Sequence, residues 1–490
     1  MLIFFIAPSP AFSVFTPRPA SPFDTGAESA HSESDTATAC TNHNELLPIA
    51  HSDALTITKA RPKVLGFSSY FSSLPKNIQD RPESPEVLLW HFREQICPML
   101  GMTDGKNNMW QTLVLPLVHD SDTLYQAIAA MTTLYTSSVN DHQLRGTVLM
   151  VRTIARLNME LQSSMIGGMT LATILILAYW ARWTQGSNAG KIHVDGAIAA
   201  LRLLRARAPE VKLRSLPDDK RALMTLLSDT CVYMDGLSRL VNAATAVKGY
   251  EFSSEAALEE NFRQTLHPTS HPADPWMHSA GSLYPLMNRA ADLCCAARTG
   301  DSFVFPIIFG DAVSLRHRLE NWVPNKEFGS SCRVYVSALV AEYIIHTAEA
   351  YRYATILYLQ QAIPGLPGAD REEVTRKVFD HLAVVPSIST ITFVQIFPLF
   401  IAGCEANEVE DRKWVQERWT VMIARMRVRN VSKCWEITQE VWRRRDLCRR
   451  LRGENARGMV GVVEDNEEFM GIGSSHWAQV LKEWGWEVSF

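Results

Sequence analysis

The chain has 490 residues, 47% of them hydrophobic and 20% charged, and its 48 basic against 52 acidic side chains leave a formal charge of −4. These proportions exclude a collagen, a coiled-coil rod and wholesale disorder, and the charge balance argues against a chain whose bulk coats nucleic acid. The length suits roughly three domains or one large helical body, able in either case to bury a core without disulfides or a structural metal.

The opening MLIFFIAPSPAFSVF has no basic n-region, and its apolar run breaks at Pro8 and Pro10. It reads as an unstructured tail or a misplaced gene start in preference to a signal peptide. Residues 1–80 are rich in Ser, Thr, Pro and Ala, as in SAHSESDTATA. Such a composition cannot offset the entropy of ordering, so a disordered tail is expected there.

A helical body is expected from 84 to 490. Ser84-Pro85-Glu86 is an N-cap, a first-turn proline and an acidic first turn. Leu88, Phe92 and Ile96 follow one turn apart. Asp120, Ser121 and Asp122 offer caps to a helix bearing Leu124, Ile128, Met131 and Tyr135, and GTVLMVRTIARLNMELQ carries Leu149, Ile154, Leu157 and Leu161. The uncharged run Met165–Ala181 falls short of a bilayer span and reads as a fully buried central helix. HVDGAIAALRLLRAR is amphipathic with a basic end that suits the helix dipole. The longest helix is expected over Cys332–Ala362, stopped by Pro364 and Gly365, with further helices to the C-terminus. Loops are expected near 264–280, which is Pro-rich, and near 453–474, which is acidic and glycine-bearing. Period-two strands are lacking, so the fold class is all-α, an irregular array of stacked antiparallel helices.

No motif of an enzyme stands out: there is no G-x-S-x-G elbow, no H-E-x-x-H and no phosphate-binding loop. His267, His271, Asp274 and His278 approach a metal constellation, but their spacing fits no ligand framework, and a solvated loop is expected. His193 and Asp195 form an H-x-D pair on an amphipathic helix, where a packed histidine is expected. The nine cysteines are scattered, odd in number and free of C-x-x-C spacing, as in a reducing compartment. No catalytic residue is assigned, and no enzymatic activity is expected. The run WRRRDLCRRLR holds Arg443, Arg444, Arg445, Arg449, Arg450 and Arg452. Those six arginines form a candidate nuclear-import or anion-binding patch, against the alternative of a solvated basic helix end.

Segment order carries a resemblance. WHFREQICPML, then Trp110 with Leu115, Pro116 and Leu117, then His193 with Gly196 and Ala197, come first. Tyr351, Arg352, Ala354, Tyr358 and Leu359, FPLFIAGCEA with DRKWVQERW, Asn430, EVWRRRD and the closing HWAQVLKEWGWEV follow in order. Over about residues 85–490 this resembles the fungal-specific transcription factor domain, in the branch that accompanies zinc-cluster activators of the acriflavine-sensitivity and GABA-catabolism type. The resemblance implies a nuclear regulator of transcription whose partners are the transcription machinery or a DNA-binding regulator, a second copy, and a small-molecule effector, with no membrane. It also implies an N-terminal head of six cysteines bridging two zinc ions. Residues 1–84 hold only Cys40, so no cofactor is expected, and contact with DNA is expected through a partner or a lost upstream exon. Control of a fungal secondary-metabolite pathway is the expected role, and a ligand-sensing helical binding protein is the alternative.

Overall fold

Ser84 begins the first helix as its neighbours suggest. Its hydroxyl accepts from the Val87 N–H at 3.3 Å, Pro85 takes a position that needs no donor, and Glu86 faces the positive end of the helix. The computed structural model describes residues 84–101, 103, 107–136, 140–163, 166–184, 187–207, 216–245, 274–299, 304–328, 336–455, 475–486 and 488. Among the described residues every regular element is helical and none is a strand.

Helix α1 (Pro85–His91) passes through a π turn, Phe92–Ile96, into α2 (Cys97–Gly101), and a second π turn, Trp110–Val114, runs into the 3-10 turn Leu115–His119. Both π turns have the same local cause. Each closes with a bond from the residue just before a proline: Cys97 N–H to the Phe92 carbonyl ahead of Pro98, and Leu115 N–H to the Trp110 carbonyl ahead of Pro116. Proline has no N–H to continue the ladder and its ring crowds the carbonyl four residues back, so the widened turn makes room for it. Phe92, Ile96 and Trp110 are buried where the chain widens.

Two helix hairpins follow: α3 (Asp122–Thr136) with α4 (Asn140–Gln162), and α5 (Gly168–Thr184) with α6 (Ser187–Arg207). Residues Thr170–Tyr179 of α5 are buried on every side, so the buried-helix expectation holds there. Among the described residues no helix is long and apolar enough to cross a membrane. The remaining helices are α7 (Asp218–Thr245), α8 (Pro275–Ala280), α9 (Tyr284–Thr299), α10 (Phe305–Glu320), α11 (Ala338–Ala362) and α12 (Arg371–Val384). After them come α13 (Ile396–Glu405), α14 (Val409–Met426), α15 (Arg429–Asn455) and α16 (Trp477–Trp484). One apolar cluster runs from Leu89 to Val488 and takes in Trp110, Trp276, Trp419 and Trp477.

Three boundaries differ from the sequence reading. The segment expected as a loop through 280 is helical from Pro275, because Asp274 caps it and Trp276, fully buried, anchors it; His267 and His271 lie outside the described residues. The long helix begins at Ala338, where Ser337 accepts from the Val340 N–H at 3.3 Å, not at Cys332. Helix α15 continues to Asn455, into the first residues of the expected 453–474 loop, the rest of which lies outside the described residues.

α6 packs so closely on α5 that a Cβ at Gly190 would overlap the Arg182 side chain. Since Arg182 is buried and bonded to α7, it cannot swing aside. Gly190→Ala is therefore expected to destabilise the fold by about 1–3 kcal/mol through overpacking, read as a lower urea midpoint at unchanged slope.

Candidate functional site: the arginine helix and the buried polar centre

Helix α15 carries the basic run, and the structure gives most of its arginines partners within the protein. Arg445 donates to the Cys404 carbonyl at 2.6 Å and to Glu405 Oε2 at 2.9 Å, closing the C-terminal end of α13. Arg443 forks onto Glu440, and Arg444 joins that carboxylate to Glu483 of α16. The bonds from Arg443 and Arg444 hold the Glu440 carboxyl down at about 2. Asp446, the acid within the run, is gripped by both arms of Arg412 from α14 at 2.7 and 2.9 Å, and this holds its carboxyl below the usual range. Arg449 donates to Asn407 at 2.6 Å while remaining half exposed, and Arg450 is exposed. The side chain of Arg452 lies outside the described residues.

Arg445 exemplifies a wider pattern. Arg352 donates to the Glu320 carbonyl at the end of α10, Arg371 to Gln360 at the end of α11, and Arg298 to Ala243 near the end of α7. Arg418 spans Val385, Leu382 and Gln395 Oε1 at 2.7–3.0 Å, closing α12. The last carbonyls of a helix have no partner of their own and carry its negative end, so a guanidinium from a neighbouring helix satisfies both needs. Burial pulls Arg418 down to about 10, the cost of holding that charge away from water. Arg418→Ala removes these donors and is expected to cost about 2–3 kcal/mol, from unsatisfied carbonyls and lost packing. Arg443→Ala, on the exposed side of α15, should cost under about 1 kcal/mol; chemical denaturation of both variants makes the comparison.

The second cluster lies where α5, α7 and α8 meet α11. Arg182, buried, donates to the Met234 carbonyl at 2.7 Å and to Ser238 Oγ at 3.0 Å. Tyr179, Tyr233 and Tyr351 surround it; burial raises their hydroxyls, Tyr233 to about 12. Tyr351 donates to the Val394 carbonyl at 2.6 Å, Tyr358 to Leu240 at 2.8 Å, and Trp276 Nε1 to the Tyr284 hydroxyl at 3.0 Å. A cavity of about 40 Å³ touches Tyr179, Arg182 and Tyr233, room for a water molecule but not a metabolite.

The sequence-singled histidines fall apart. His278 Nε2 meets the Glu327 carbonyl at 2.7 Å, and Asp274 spends Oδ1 on the Trp276 N–H at 2.8 Å. His193 is packed, and burial lowers it to about 4, whereas Asp195 faces outward to Lys191 at 2.7 Å. His476 caps α16 by accepting from the Ala478 N–H at 3.0 Å, and burial among Arg298, Arg445 and Arg371 keeps it well below the usual histidine range. Among the described residues no group of three or more His, Cys, Asp or Glu could hold a metal. Burial raises the thiols of Cys97, Cys231, Cys294 and Cys434, and that of Cys404 to about 12, far from the thiolate a nucleophile needs.

These shifts give opposite pH signs. Asp274 is pushed up to about 7 by burial, with Asp229 adding to the rise and the Trp276 N–H opposing it. Its folded value lies above its unfolded 3.8, so its stabilising share is full below 3.8 and is lost as pH rises through 7. His193 and His476, lowered from 6.5, contribute above 6.5 and lose that share as pH falls. Asp274→Asn keeps the capping oxygen without the buried charge. It should melt higher than the parent chain at pH 8, with the gap closing towards pH 4, in melting curves across that range.

Fold and site together define an all-helical scaffold whose charged side chains close helix ends. Residues 87–490 match the fungal specific transcription factor domain, and the chain belongs to that family. It is similar to the acriflavine sensitivity control protein acr-2 of Neurospora crassa, at 21% identity over 384 residues, covering 73% of this chain and 62% of that protein. The chain thus spans less than two thirds of that relative's length. No solved structure matches it significantly. The motifs that carried the resemblance are largely internal supports: Trp110 stands edge-on to Tyr179, and Tyr351, Arg352 and Tyr358 bond to neighbouring segments. The Arg443 and Arg444 bonds to Glu440 span only three and four positions, but the arginines that close helix ends join one helix to another, and no local pattern marks that.

Proposed function

We propose that this chain regulates transcription of a fungal specialised-metabolism pathway from the nucleus. Its contact with DNA would come from a DNA-bound partner or from a cysteine-rich segment encoded upstream of Met1. The family match over residues 87–490 carries the reading. The helical body serves as a platform, and Arg449 and Arg450, at the open side of α15, supply the import or anion contact that Arg443 can extend. Transcript profiling of a deletion strain should show one co-regulated set of biosynthetic genes falling or rising together, and a tagged chain should accumulate in nuclei. Joint Arg449→Ala and Arg450→Ala substitution should reduce that accumulation without unfolding the protein. An unchanged transcriptome with a wholly cytosolic signal would refute the reading. Sequencing the 5′ end of the transcript separates the two routes to DNA.

One observation favours a small-molecule effector. An open cleft of about 610 Å³ is lined by Ser282, Pro285, Leu286, His317, Arg318 and Trp322, large enough for a metabolite. Thermal-shift screening with pathway intermediates tests it, and loss of any shift on Arg318→Ala would place the ligand there.

A further inference from the structure

The cleft beside α9 and α10 has walls held by the protein's own bonds. It lies where the 3-10 turn Gly281–Leu283 and the first turn of α9 meet the last turn of α10. Trp322, buried, donates from Nε1 to Ser282 Oγ at 2.9 Å and joins the two sides. Asn321, also on the lining, donates from Nδ2 to the His317 carbonyl at 2.8 Å and holds the end of α10. The Leu319 and Glu320 carbonyls accept from Arg352 at 3.4 and 3.0 Å, so the negative end of that helix is already served.

No acidic side chain lines the cleft. The charges around it are largely spent on one another. Arg289 pairs with Asp311 at 2.6 Å, and Arg316 bonds Glu320 at 3.0 Å and the Ala369 carbonyl at 2.9 Å. Lys326 and Glu327, exposed beyond the lining, offset each other in charge. On the lining itself the His317 ring lies against the Asn321 amide at 3.2 Å. Arg318 is different: it is exposed, and its side chain makes no hydrogen bond or ion pair with a described residue. Pro285, Leu286 and the Trp322 ring give the cleft its apolar side.

A guanidinium with no partner beside an apolar wall selects a ligand with one negative charge and an apolar body. A carboxylate fits the planar fork of arginine with two parallel bonds. A phosphate monoester carries nearly two charges at pH 7, and a single arginine leaves much of that charge unmet. We propose that the cleft binds a small monocarboxylic acid, with its carboxylate on Arg318 and its apolar body against Pro285, Leu286 and Trp322. This rests on reading the cleft as an effector site and supplies the chemical class of the effector.

The full chain is titrated by calorimetry with naphthoate, its neutral amide and naphthyl phosphate, which share one flat apolar body. Naphthoate should bind saturably and about tenfold or more tighter than the amide, which lacks the charge-assisted pair. Arg318→Gln should weaken naphthoate by about tenfold and leave the amide unchanged. The melting temperature of the unliganded variant should not move, because the Arg318 side chain is exposed and holds no other group, and this separates lost binding from lost folding. Equal binding of acid and amide, indifference of naphthoate to Arg318→Gln, tighter binding of naphthyl phosphate, or binding of none of the three overturns the acid class. The effector reading falls separately, if the wider thermal-shift screen finds no ligand whose shift is abolished by His317→Trp, which fills the cleft from its exposed side.

Discussion

The structure depends on guanidinium groups set against the carboxyl ends of neighbouring helices. A large helical array multiplies the problem that every helix has at its end, a set of carbonyls with no intrahelical donor. Where such ends lie inside the body, water cannot serve them. Arg298, Arg352, Arg371, Arg418 and Arg445 do so from other helices. Arg418 sets its two arms on the Val385 and Leu382 carbonyls, and a planar fork has few ways to do so, which fixes the angle of α14 against α12. The apolar cluster supplies the driving force for collapse, and the arginines select one arrangement among the many that bury the same surface.

This alters the meaning of the basic run. As a sequence, WRRRDLCRRLR is a strong local field. In the folded chain Arg444 and Arg445 are committed to Glu440, Glu483, Glu405 and the end of α13, and Asp446 is committed to Arg412. Among the described residues of the run, the arginines exposed to solvent are Arg443, itself forked onto Glu440, Arg449 and Arg450.

Helix type and the core faces were legible in the residues because periodicity and caps are local. Ser84, Ser121 and the apolar run of α5 announced themselves, and Leu157 lies inward as its spacing required. The start of α11 was misplaced, since Ser337 ends what looked like a continuous pattern from Cys332. α8 was hidden because prolines surround it, although Asp274-Pro275 is the same cap-and-proline device that marked α1. The buried polar centre was invisible for a different reason: Arg182 and Ser238 stand 56 positions apart and only packing joins them.

The short last helix has a bearing on how the protein is made. Trp477 of α16 lies beside Tyr358 and Phe400 and donates to Gln361, while Tyr358 in turn closes onto Leu240. Segments separated by more than a hundred residues therefore meet at one indole. Until the ribosome has released the chain past Gly485, the pocket between α7, α11 and α13 lacks its plug, and apolar surface stays open to other nascent chains. The contact that joins α7, α11 and α13 at Trp477 therefore forms only after the segments it closes have been made.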